Sequence, residues 1–426
     1  MFARAASAAT TNLVTPQEIV SQTLAHSHQL RSLQYETRAI EARGDQARAQ
    51  GLPQLSTDAR FARYEGLEDG QFGPRMTIPA VESRYGAGLT VSQPAYTGGR
   101  LKSLRELATH QKKATEQERH SAEADLALDA LNTYWTWSKA YFMMESLQAA
   151  VERMAAHAKD MQNLHDAGLA TDNESLSTEV QLDRTRLRLE ESRRRVQLAT
   201  ARLAYLTGHP LLEKQQPQPA QASGDATLPG ETELLETARR QRHEPEAHTW
   251  EIRAAETQID VQRAENRPQV SMIARYEMSR PNQMNIPPQD KWQDDAYVGI
   301  SVTWNLFDWG LTKAKVAEAA ARAEQARLRA QQTEDAITYE VRQARIQLQD
   351  AWQRLVVAER AEKSARRNLE VASDLWRSGL SRHSDVLDAH AQLTDTQYEI
   401  IAARADVELA RAAVDHAAGR LNTTLR

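Results

Sequence analysis

Apolar and polar residues alternate along four short segments of the chain, which is the pattern of β-strands with two different faces. The alternation is clearest at Val298, Ile300 and Val302, which are separated by single Gly and Ser residues. Polar stretches that contain Gly and Pro separate the segments into two pairs and predict loops. We predict strands at about 54–64, 86–96, 269–278 and 296–307.

Each strand pair is followed by a segment that is too long for a helix of an ordinary globular domain. Positions 100 to about 167 and 311 to about 378 contain neither Gly nor Pro, and about 68 helical residues extend roughly 100 Å. Gly168 and Gly379 come next and predict left-handed helix ends. In the final helix that follows, Leu182, Leu189, Val196 and Leu203 keep a seven-residue spacing, which predicts packing against neighbouring helices.

The order of helix, strand pair, long helix and final helix occurs twice, so the chain contains an internal duplication. Gly168-Leu169 corresponds to Gly379-Leu380, 211 residues later. The predicted division is an N-terminal extension (1–14), a first repeat (15–208), a linker (209–229), a second repeat (230–419) and a C-terminal tail (420–426). The linker is rich in Pro, Gln and Ala, and we expect it to pack poorly as helix or strand.

Composition narrows the class of protein. The 426 residues contain no Cys, which excludes disulfides and Cys-ligated metal sites. The net charge of −5 is spread without an acidic or basic block, so we expect no nucleic-acid partner. No run approaches the ~20 apolar residues of a membrane-spanning helix, although transmembrane β-strands escape this test. Residues 1–10 lack an apolar segment, so we expect no signal peptide in this chain.

Motifs of enzymatic chemistry are missing from the sequence. It contains no phosphate-binding loop, dinucleotide fingerprint or nucleophile elbow. His243 and His248, with two Glu residues between them, resemble a metal-ligand set, but Pro245 interrupts the helix there. We therefore predict that the protein is not an enzyme and binds neither a metal nor a cofactor.

Four strands cannot close a sheet, and two hypotheses stay open at this point. In the first, several chains join their strands into a barrel with lipid outside and water inside, and three chains would supply twelve strands. In the second, the strands form small soluble sandwich domains that cap a coiled coil. In the barrel, the lipid-facing positions would be Leu55, Phe61, Leu89, Val91, Val270, Met272, Val298, Ile300, Val302 and Trp304.

Aromatic residues at the strand ends fit the barrel hypothesis, because such residues concentrate at membrane–water interfaces. An inner girdle would contain Tyr96, Trp304, Phe307 and Trp309. An outer girdle beside the loops would contain Tyr64, Tyr85, Tyr276 and Tyr297.

The motifs around the strands resemble those of the TolC family of outer-membrane channel proteins. Leu52-Pro53-Gln54 and Arg267-Pro268-Gln269 resemble the residues that lead into the family's strands. Residues 93–99 (QPAYTGG) and 304–310 (WNLFDWG) resemble its strand-to-helix connections. The order and spacing of these motifs make the resemblance specific, and it covers nearly the whole chain.

The ends of the long helices resemble the family's hairpin tips, and Asp385-Val386-Leu387-Asp388 resembles the acidic motif of its second tip. The resemblance implies a mostly α fold with membrane β-structure: a homotrimeric twelve-stranded β-barrel, four strands per chain, continued by a long periplasmic α-helical barrel. It implies the outer membrane of a Gram-negative bacterium as the location. The implied partners are outer-membrane lipid, a periplasmic adaptor (membrane fusion protein) and an inner-membrane pump or ABC transporter.

The resemblance assigns an aperture role to Asp385 and Asp388 and, more weakly, to Glu174. In a trimer, the two Asp residues would form stacked acidic rings that attract cations. The family's aperture Arg aligns with Ser381, and the nearest Arg of this chain is Arg382. The alternative explanation is that the acids are first-turn residues that offset the helix macrodipole.

The resemblance also assigns the adaptor contacts to Gly168, Leu169, Gly379 and Leu380, for which helix termination alone is the alternative. We predict a passive exit duct of a tripartite efflux pump or of a type I secretion system. The alternative from another class is a periplasmic adaptor or a soluble coiled-coil scaffold. An adaptor has one helical hairpin flanked by lipoyl-like domains, whereas this sequence predicts two hairpins.

Overall fold

The computed structural model describes residues 12–71, 77–78, 80–210, 215–221, 229–282, 284–285 and 289–421, which are mostly helical. The helices are α1 (Pro16–His26), α2 (His28–Ala49), α3 (Arg100–Asp166), α4 (Asp172–Thr207), α5 (Glu231–Gln241), α6 (Glu244–Arg263), α7 (Leu311–Arg377) and α8 (His383–Ala417). The strands are β1 (Asn12–Val14), β2 (Gln54–Arg63), β3 (Gly70–Gln71), β4 (Thr77–Ile78), β5 (Ser83–Tyr96), β6 (Gln215–Pro217), β7 (Gln269–Arg280) and β8 (Gln293–Thr303). Of the helices in these ranges, none is long and apolar enough to cross a membrane.

The chain divides into two compact units. The strand unit consists of the described residues of Gln34–Glu116 and Glu246–Gln331. The helical unit consists of those of Met1–Leu33, Gln117–Pro245 and Gln332–Arg426. The predicted long helices α3 and α7 have 67 residues each and contribute to both units.

The strand unit contains an antiparallel sheet with the strand order β2-β5-β7-β8. The four strands are those that the alternation predicts, with ends that differ by a few residues. The largest difference is at β8, which ends at Thr303 and not at 307. Thr303 pairs with Gln269, the first residue of β7, so the ladder has no partner for the residues that follow.

The helix that opens each repeat is split in two. Ser27 follows α1, and its hydroxyl accepts a hydrogen bond from the amide of Leu30 at 3.2 Å, in the manner of an N-cap for α2. In the second repeat, α5 ends at Gln241 and α6 begins at Glu244. Pro245 lies in the first turn of α6, where its missing N–H leaves no helix bond unmade.

Seven-residue spacing does produce buried positions in the helical unit. Leu182, Leu189 and Leu203 of α4 are buried, and so are Leu393 and Val407 of α8. Small residues fill the space between the large ones in two core clusters, which include Ala344, Ala351, Ala358, Ala403 and Ala410 in one and Ala127, Ala130 and Ala199 in the other. Such small side chains let the backbones of neighbouring helices approach closely, which explains why α7 and α8 are rich in alanine.

Contrary to the expectation that the linker packs poorly as helix or strand, Gln215–Pro217 form a short strand. Strand β6 pairs in parallel with β1 of the N-terminal extension. The fully buried Tyr134 holds the pair, because its hydroxyl donates to the carbonyl of Val14 at 2.8 Å and accepts from the amide of Gln218 at 2.9 Å. Burial raises the pKa of Tyr134 to about 12, so the phenol stays protonated.

Candidate functional site

The hairpins α3–α4 and α7–α8 turn at Gly168 and Gly379. Their φ angles are 73° and 72°, a left-handed conformation that Gly adopts without strain. The amide of Leu169 donates to the carbonyl of Leu164 at 2.8 Å, and Leu380 forms the equivalent bond at 2.8 Å. These are the bonds of Schellman motifs, so the predicted left-handed helix ends are confirmed.

The leucines that follow the two glycines project into solvent. Leu169 is 76% exposed and Leu380 is 75% exposed. In a Schellman motif an apolar residue at this position usually packs on the last helical turn. Helix termination therefore explains the backbone of both tips but not these two exposed side chains.

Helix α4 begins with a capping box formed by Thr171 and Glu174. The Thr171 hydroxyl accepts from the amide of Glu174 at 3.3 Å, and the Glu174 carboxylate accepts from the amide of Thr171 at 2.9 Å. The hydrogen bond from the Thr171 amide is the main reason that the pKa of Glu174 lies below its usual value. The helix-terminus explanation thus accounts for the presence of Glu174.

Helix α8 begins beside two exposed charged residues of opposite sign. The Asp385 carboxylate accepts from the amide of Arg382 at 3.2 Å, which satisfies one N–H at the helix start. Asp388, one turn further, is exposed. Within the described residues, the Asp388 carboxylate forms neither a hydrogen bond nor an ion pair. Asp388 is therefore the one of the three predicted aperture acids whose carboxylate no described residue engages.

A groove of about 710 Å³ separates the first turns of α4 and α8. Three of the four predicted aperture residues line it, namely Glu174, Arg382 and Asp388, whereas Asp385 lies outside its lining. The exposed Leu176 contributes an apolar wall. The groove thus combines two acids, two arginines (Arg184 and Arg382) and apolar surface.

One face of the four-stranded sheet is apolar and exposed. Leu55 pairs with Val91, and Met272 pairs with Ile300, and directly paired residues share a face. By this register the predicted lipid-facing residues of the strands all lie on one face, and Trp304 lies just beyond the end of β8. These residues are exposed, Val298 by 80%, except Val270, which is half-buried.

The opposite face carries two ion pairs that cross the central strand β5. Arg275 of β7 reaches Asp58 of β2 with an Nη1–Oδ1 distance of 2.9 Å, and Arg60 of β2 pairs with Glu277 of β7. A Cβ at Gly88 of β5 would lie 2.7 Å from Nη2 of Arg275. Gly88 therefore leaves the space through which the guanidinium crosses the strand.

Aromatic residues flank the apolar face. Near the loop ends, the ring of Tyr85 lies 5.0 Å from that of Phe61 and 6.0 Å from that of Trp292. Tyr297, predicted for the same girdle, pairs with Arg275 and so lies on the polar face, and that prediction is wrong. The aromatic residues of the inner girdle are exposed: Tyr96, Trp304, Phe307 and Trp309.

The residues of the metal-like motif have separate partners. Nδ1 of His243 lies 2.8 Å from Gln117, and Nδ1 of His248 lies 2.7 Å from Glu251. In the part of the chain that the structure describes, no group of three or more His, Asp or Glu residues is arranged to hold a metal ion.

Comparison with known proteins identifies the family. The family model for outer membrane efflux proteins matches residues 19–209 and 234–420. The chain therefore belongs to the outer membrane efflux protein family. A comparison with curated proteins found no matching sequence.

Solved structures of outer-membrane proteins share the fold. The chain matches the outer-membrane channel OprN with a TM-score of 0.79 and 21% identity over 95% of this chain and 89% of that chain. The outer membrane protein VceC of Vibrio cholerae gives 0.78 and 20% over 95% and 96%. The outer membrane channel CmeC of Campylobacter jejuni gives 0.81 and 17% over 95% and 86%.

Family membership confirms the resemblance found in the sequence and the mostly helical fold with membrane β-structure. The members are outer-membrane channels of Gram-negative bacteria that reach into the periplasm and act with periplasmic adaptors and inner-membrane pumps. The chain is accordingly an outer-membrane exit duct for efflux. Because the family consists of passive channels, the prediction that the protein is not an enzyme is also confirmed.

Two side-chain clusters could not be predicted from the sequence. One is the set of crossing ion pairs, for which the only sequence signal is the pair Gly86 and Gly88 on one side of β5. The other joins three histidines from α3 and α8 with a tryptophan from α7. Neither is visible without the register of the strands or the packing of the helices.

Proposed function

We propose that three copies of this chain form a passive duct through the outer membrane. Each copy contributes four strands to a twelve-stranded β-barrel and its long helices to a tube that crosses the periplasm. A periplasmic adaptor docks at the helix tips, and an inner-membrane pump hands substrates to the duct. The acidic residues at the tips form a cation-preferring aperture.

The sheet carries this proposal. Its apolar face is exposed in the single chain, and a contiguous apolar patch of this kind is unfavourable in water. Lipid on that face and water on the face with the crossing ion pairs remove the conflict. Strands β2 and β8 are the edges of the sheet, and edge backbone groups need partners in lipid. Pairing of β2 with β8 of the next copy supplies them.

The height of the apolar face supports a membrane span. Trp292 and Trp304 stand at its two ends, twelve residues apart in sequence. At ~3.3 Å per residue the strand between them is about 40 Å long. With the ~45° tilt of transmembrane strands this gives about 28 Å, close to the ~25 Å apolar band of such barrels.

The helices offer further surface for association of copies. On α4, large apolar residues are exposed along one stripe: Leu176, Val180, Leu187, Leu198 and Tyr205. On α7, Tyr339, Ile346 and Val357 form a second stripe. The spacings of 4, 7 and 11 residues bring each set to one helix face. Packing of these stripes between neighbouring copies would bury them.

The tips supply the remaining surfaces. Leu169 and Leu380 are exposed apolar side chains on fixed turns, which suits contact with a helical partner. Asp388 is exposed and its side chain forms neither a hydrogen bond nor an ion pair among the described residues, so its carboxylate is available to passing ions. The Asp385 carboxylate is engaged by the amide of Arg382, and we expect it to contribute less.

Single-channel recording in planar bilayers tests the aperture. Conversion of both Asp385 and Asp388 to Asn should weaken the preference for cations over anions, because two acidic rings lose their charge. Asp388→Asn alone should have most of the effect. The control is Asp183→Asn, which removes one acid that already pairs with Arg186 at 3.1 Å.

The expected result is a lower cation-to-anion permeability ratio in the tip variants and an unchanged ratio in Asp183→Asn. An unchanged ratio in the double variant would remove the aperture assignment. An equal decrease in Asp183→Asn would show that overall charge, and not the tip, sets the selectivity.

A further inference from the structure

Three histidines and a tryptophan meet near the helix tips. The ring of His157 on α3 stacks on that of His383 on α8, with centroids 5.1 Å apart. It also contacts His390 of α8 at 5.5 Å and Trp376 of α7 at 5.8 Å, and Trp376 contacts His383 at 5.4 Å. We call these four residues the histidine cluster. His383 is the first residue of α8, beside Arg382, so the cluster lies directly behind the second tip.

The hydrogen bonds around His383 determine which ring nitrogen carries the proton when the imidazole is neutral. The hydroxyl of Thr178 on α4 donates its single proton to the carbonyl of Glu174 at 2.7 Å. Its oxygen lies 2.8 Å from Nε2 of His383 and therefore accepts a hydrogen bond from the N–H at that nitrogen. Nδ1 of His383 is then the unprotonated nitrogen. His383 is 4% exposed, and Nδ1 has no hydrogen-bond partner among the described residues.

A second proton would be costly at this position. Protonation of Nδ1 would create a buried N–H without an acceptor and a cation at the N-terminus of α8, where the helix macrodipole opposes positive charge. Nε2 of His157 is likewise buried without a partner in the described residues. Two charged rings 5 Å apart would also repel each other.

Some of the surrounding charges raise the pKa values of the three histidines and others lower them. Asp160 of α3 favours the charged form of His157, and Glu174 of α4 favours that of His383. Arg153 of α3 and Arg377 of α7 oppose charge on the cluster. Burial outweighs these charges, lowering the pKa of His157 and of His383 and that of His390 to about 4.

We propose that the histidine cluster is a proton-operated release for the helix tips. With neutral rings the cluster holds α3, α7 and α8 together and α4 through Thr178. Mildly acidic surroundings shift the equilibrium toward an open tip, in which the rings are protonated and the start of α8 has separated from α3 and α7. The effect on the duct, a loosened aperture in an acidic periplasm, rests on the proposed function. The separation itself does not.

The cluster binds protons rather than a metal ion. A metal ion must lie in the plane of each imidazole that ligates it, whereas the rings of His157 and His383 are stacked with an interplanar angle of 21°. Among the described residues, no His, Asp or Glu group is arranged for a metal.

The direction and size of the pH effect follow from proton linkage. A group whose pKa is lower in the closed tip binds more protons in the open tip, so closure is stable near pH 7 and is lost as the pH falls below about 6.5. For His390, a pKa of about 4 in the closed tip and 6.5 in the open tip raises the open-to-closed ratio about tenfold between pH 7.5 and 5.5. His157 and His383 increase this factor.

Hydrogen–deuterium exchange of the full chain in detergent, at pH 7.5 and 5.5 and with EDTA present, tests the proposal. Exchange times are scaled to the intrinsic amide rates at each pH. The reporting segment is 376–390, and the control segment is 341–355, which contains no His and lies in a separate core cluster. In the wild type, protection of the reporting segment should decrease about tenfold or more at pH 5.5, with less than about threefold change in the control.

Two variants separate protonation from general acid sensitivity. In His390→Gln the pH effect should shrink about tenfold. In the triple variant with His157→Phe, His383→Gln and His390→Gln it should disappear, because no imidazole remains to be protonated. The ring at position 157 keeps its contact with Trp376, and the amide introduced at position 383 replaces the donor to Thr178. An unchanged reporting segment in the wild type, or the same pH effect in the triple variant, would overturn the proposal. A loss of protection at pH 7.5 on addition of EDTA would also overturn it, in favour of a metal site.

Discussion

The effect on stability of a charge introduced on the apolar face of the sheet shows whether that face meets lipid or water. Val298 is the middle residue of β8, is 80% exposed and lies on the apolar face. If that face meets lipid, Val298→Arg puts a charge near the bilayer midplane and destabilises folding by about 2–4 kcal/mol per chain. This corresponds to roughly a 30-fold to 1,000-fold change in the folding equilibrium. On a water-exposed surface the same substitution changes stability by less than about 0.5 kcal/mol.

The matched control is the next residue. Gly299 points to the polar face, and a Cβ there meets nothing closer than Cδ2 of Tyr297 at 3.9 Å. Gly299→Arg therefore adds the same charge at nearly the same depth, where we expect water, and should change stability by less than about 0.5 kcal/mol.

The assay is folding of the full chain into phospholipid vesicles, titrated with guanidinium chloride and followed by tryptophan fluorescence. We expect a lower midpoint for Val298→Arg and a wild-type midpoint for Gly299→Arg. Equal midpoints for Val298→Arg and the wild type, or an equal loss in both variants, would refute the assignment of the apolar face to lipid.

Two further predictions concern the helical unit. Tyr134→Phe removes the hydroxyl that binds the carbonyl of Val14 and the amide of Gln218. Chemical unfolding in detergent should show that the free energy of unfolding decreases by about 1–3 kcal/mol. An unchanged free energy of unfolding would mean that water replaces the hydroxyl. Gly168→Ala places a Cβ on a residue with a φ of 73°, where no other atom lies within 4 Å. Hydrogen exchange should show a loss of about 1–2 kcal/mol in the local stability of the tip, and a smaller loss for Gly168→Asn. Equal losses for the two variants would show that the turn changes its backbone conformation.

Local signals in the sequence predict most of the fold. Alternation over a few residues gives the strands and their faces, because both depend on neighbours in the chain. Gly168 and Gly379 predict the helix ends for the same reason, since a left-handed residue is required wherever a helix stops in a Schellman motif. The strand β6 could not be predicted, because it depends on Tyr134, which lies about 80 residues away in sequence.

In the candidate site, too, local features are visible in the sequence and features that depend on distant residues are not. The acids at the tips are visible in the sequence, but the structure gives them different surroundings: Glu174 belongs to a capping box, Asp385 to the start of α8, and Asp388 to neither. The histidine cluster combines positions 157, 383 and 390 from two helices. Their proximity follows from the packing of four helices around Trp376 and Thr178, which no local pattern encodes.

Native mass spectrometry of the purified full chain, released from detergent or from lipid nanodiscs, tests the central claim most directly. We predict an assembly of three chains, with three times the 47.9 kDa mass of one chain, because the apolar face and the edges of the sheet need partners. A single chain of 47.9 kDa that stays monomeric in both detergent and lipid would contradict the account.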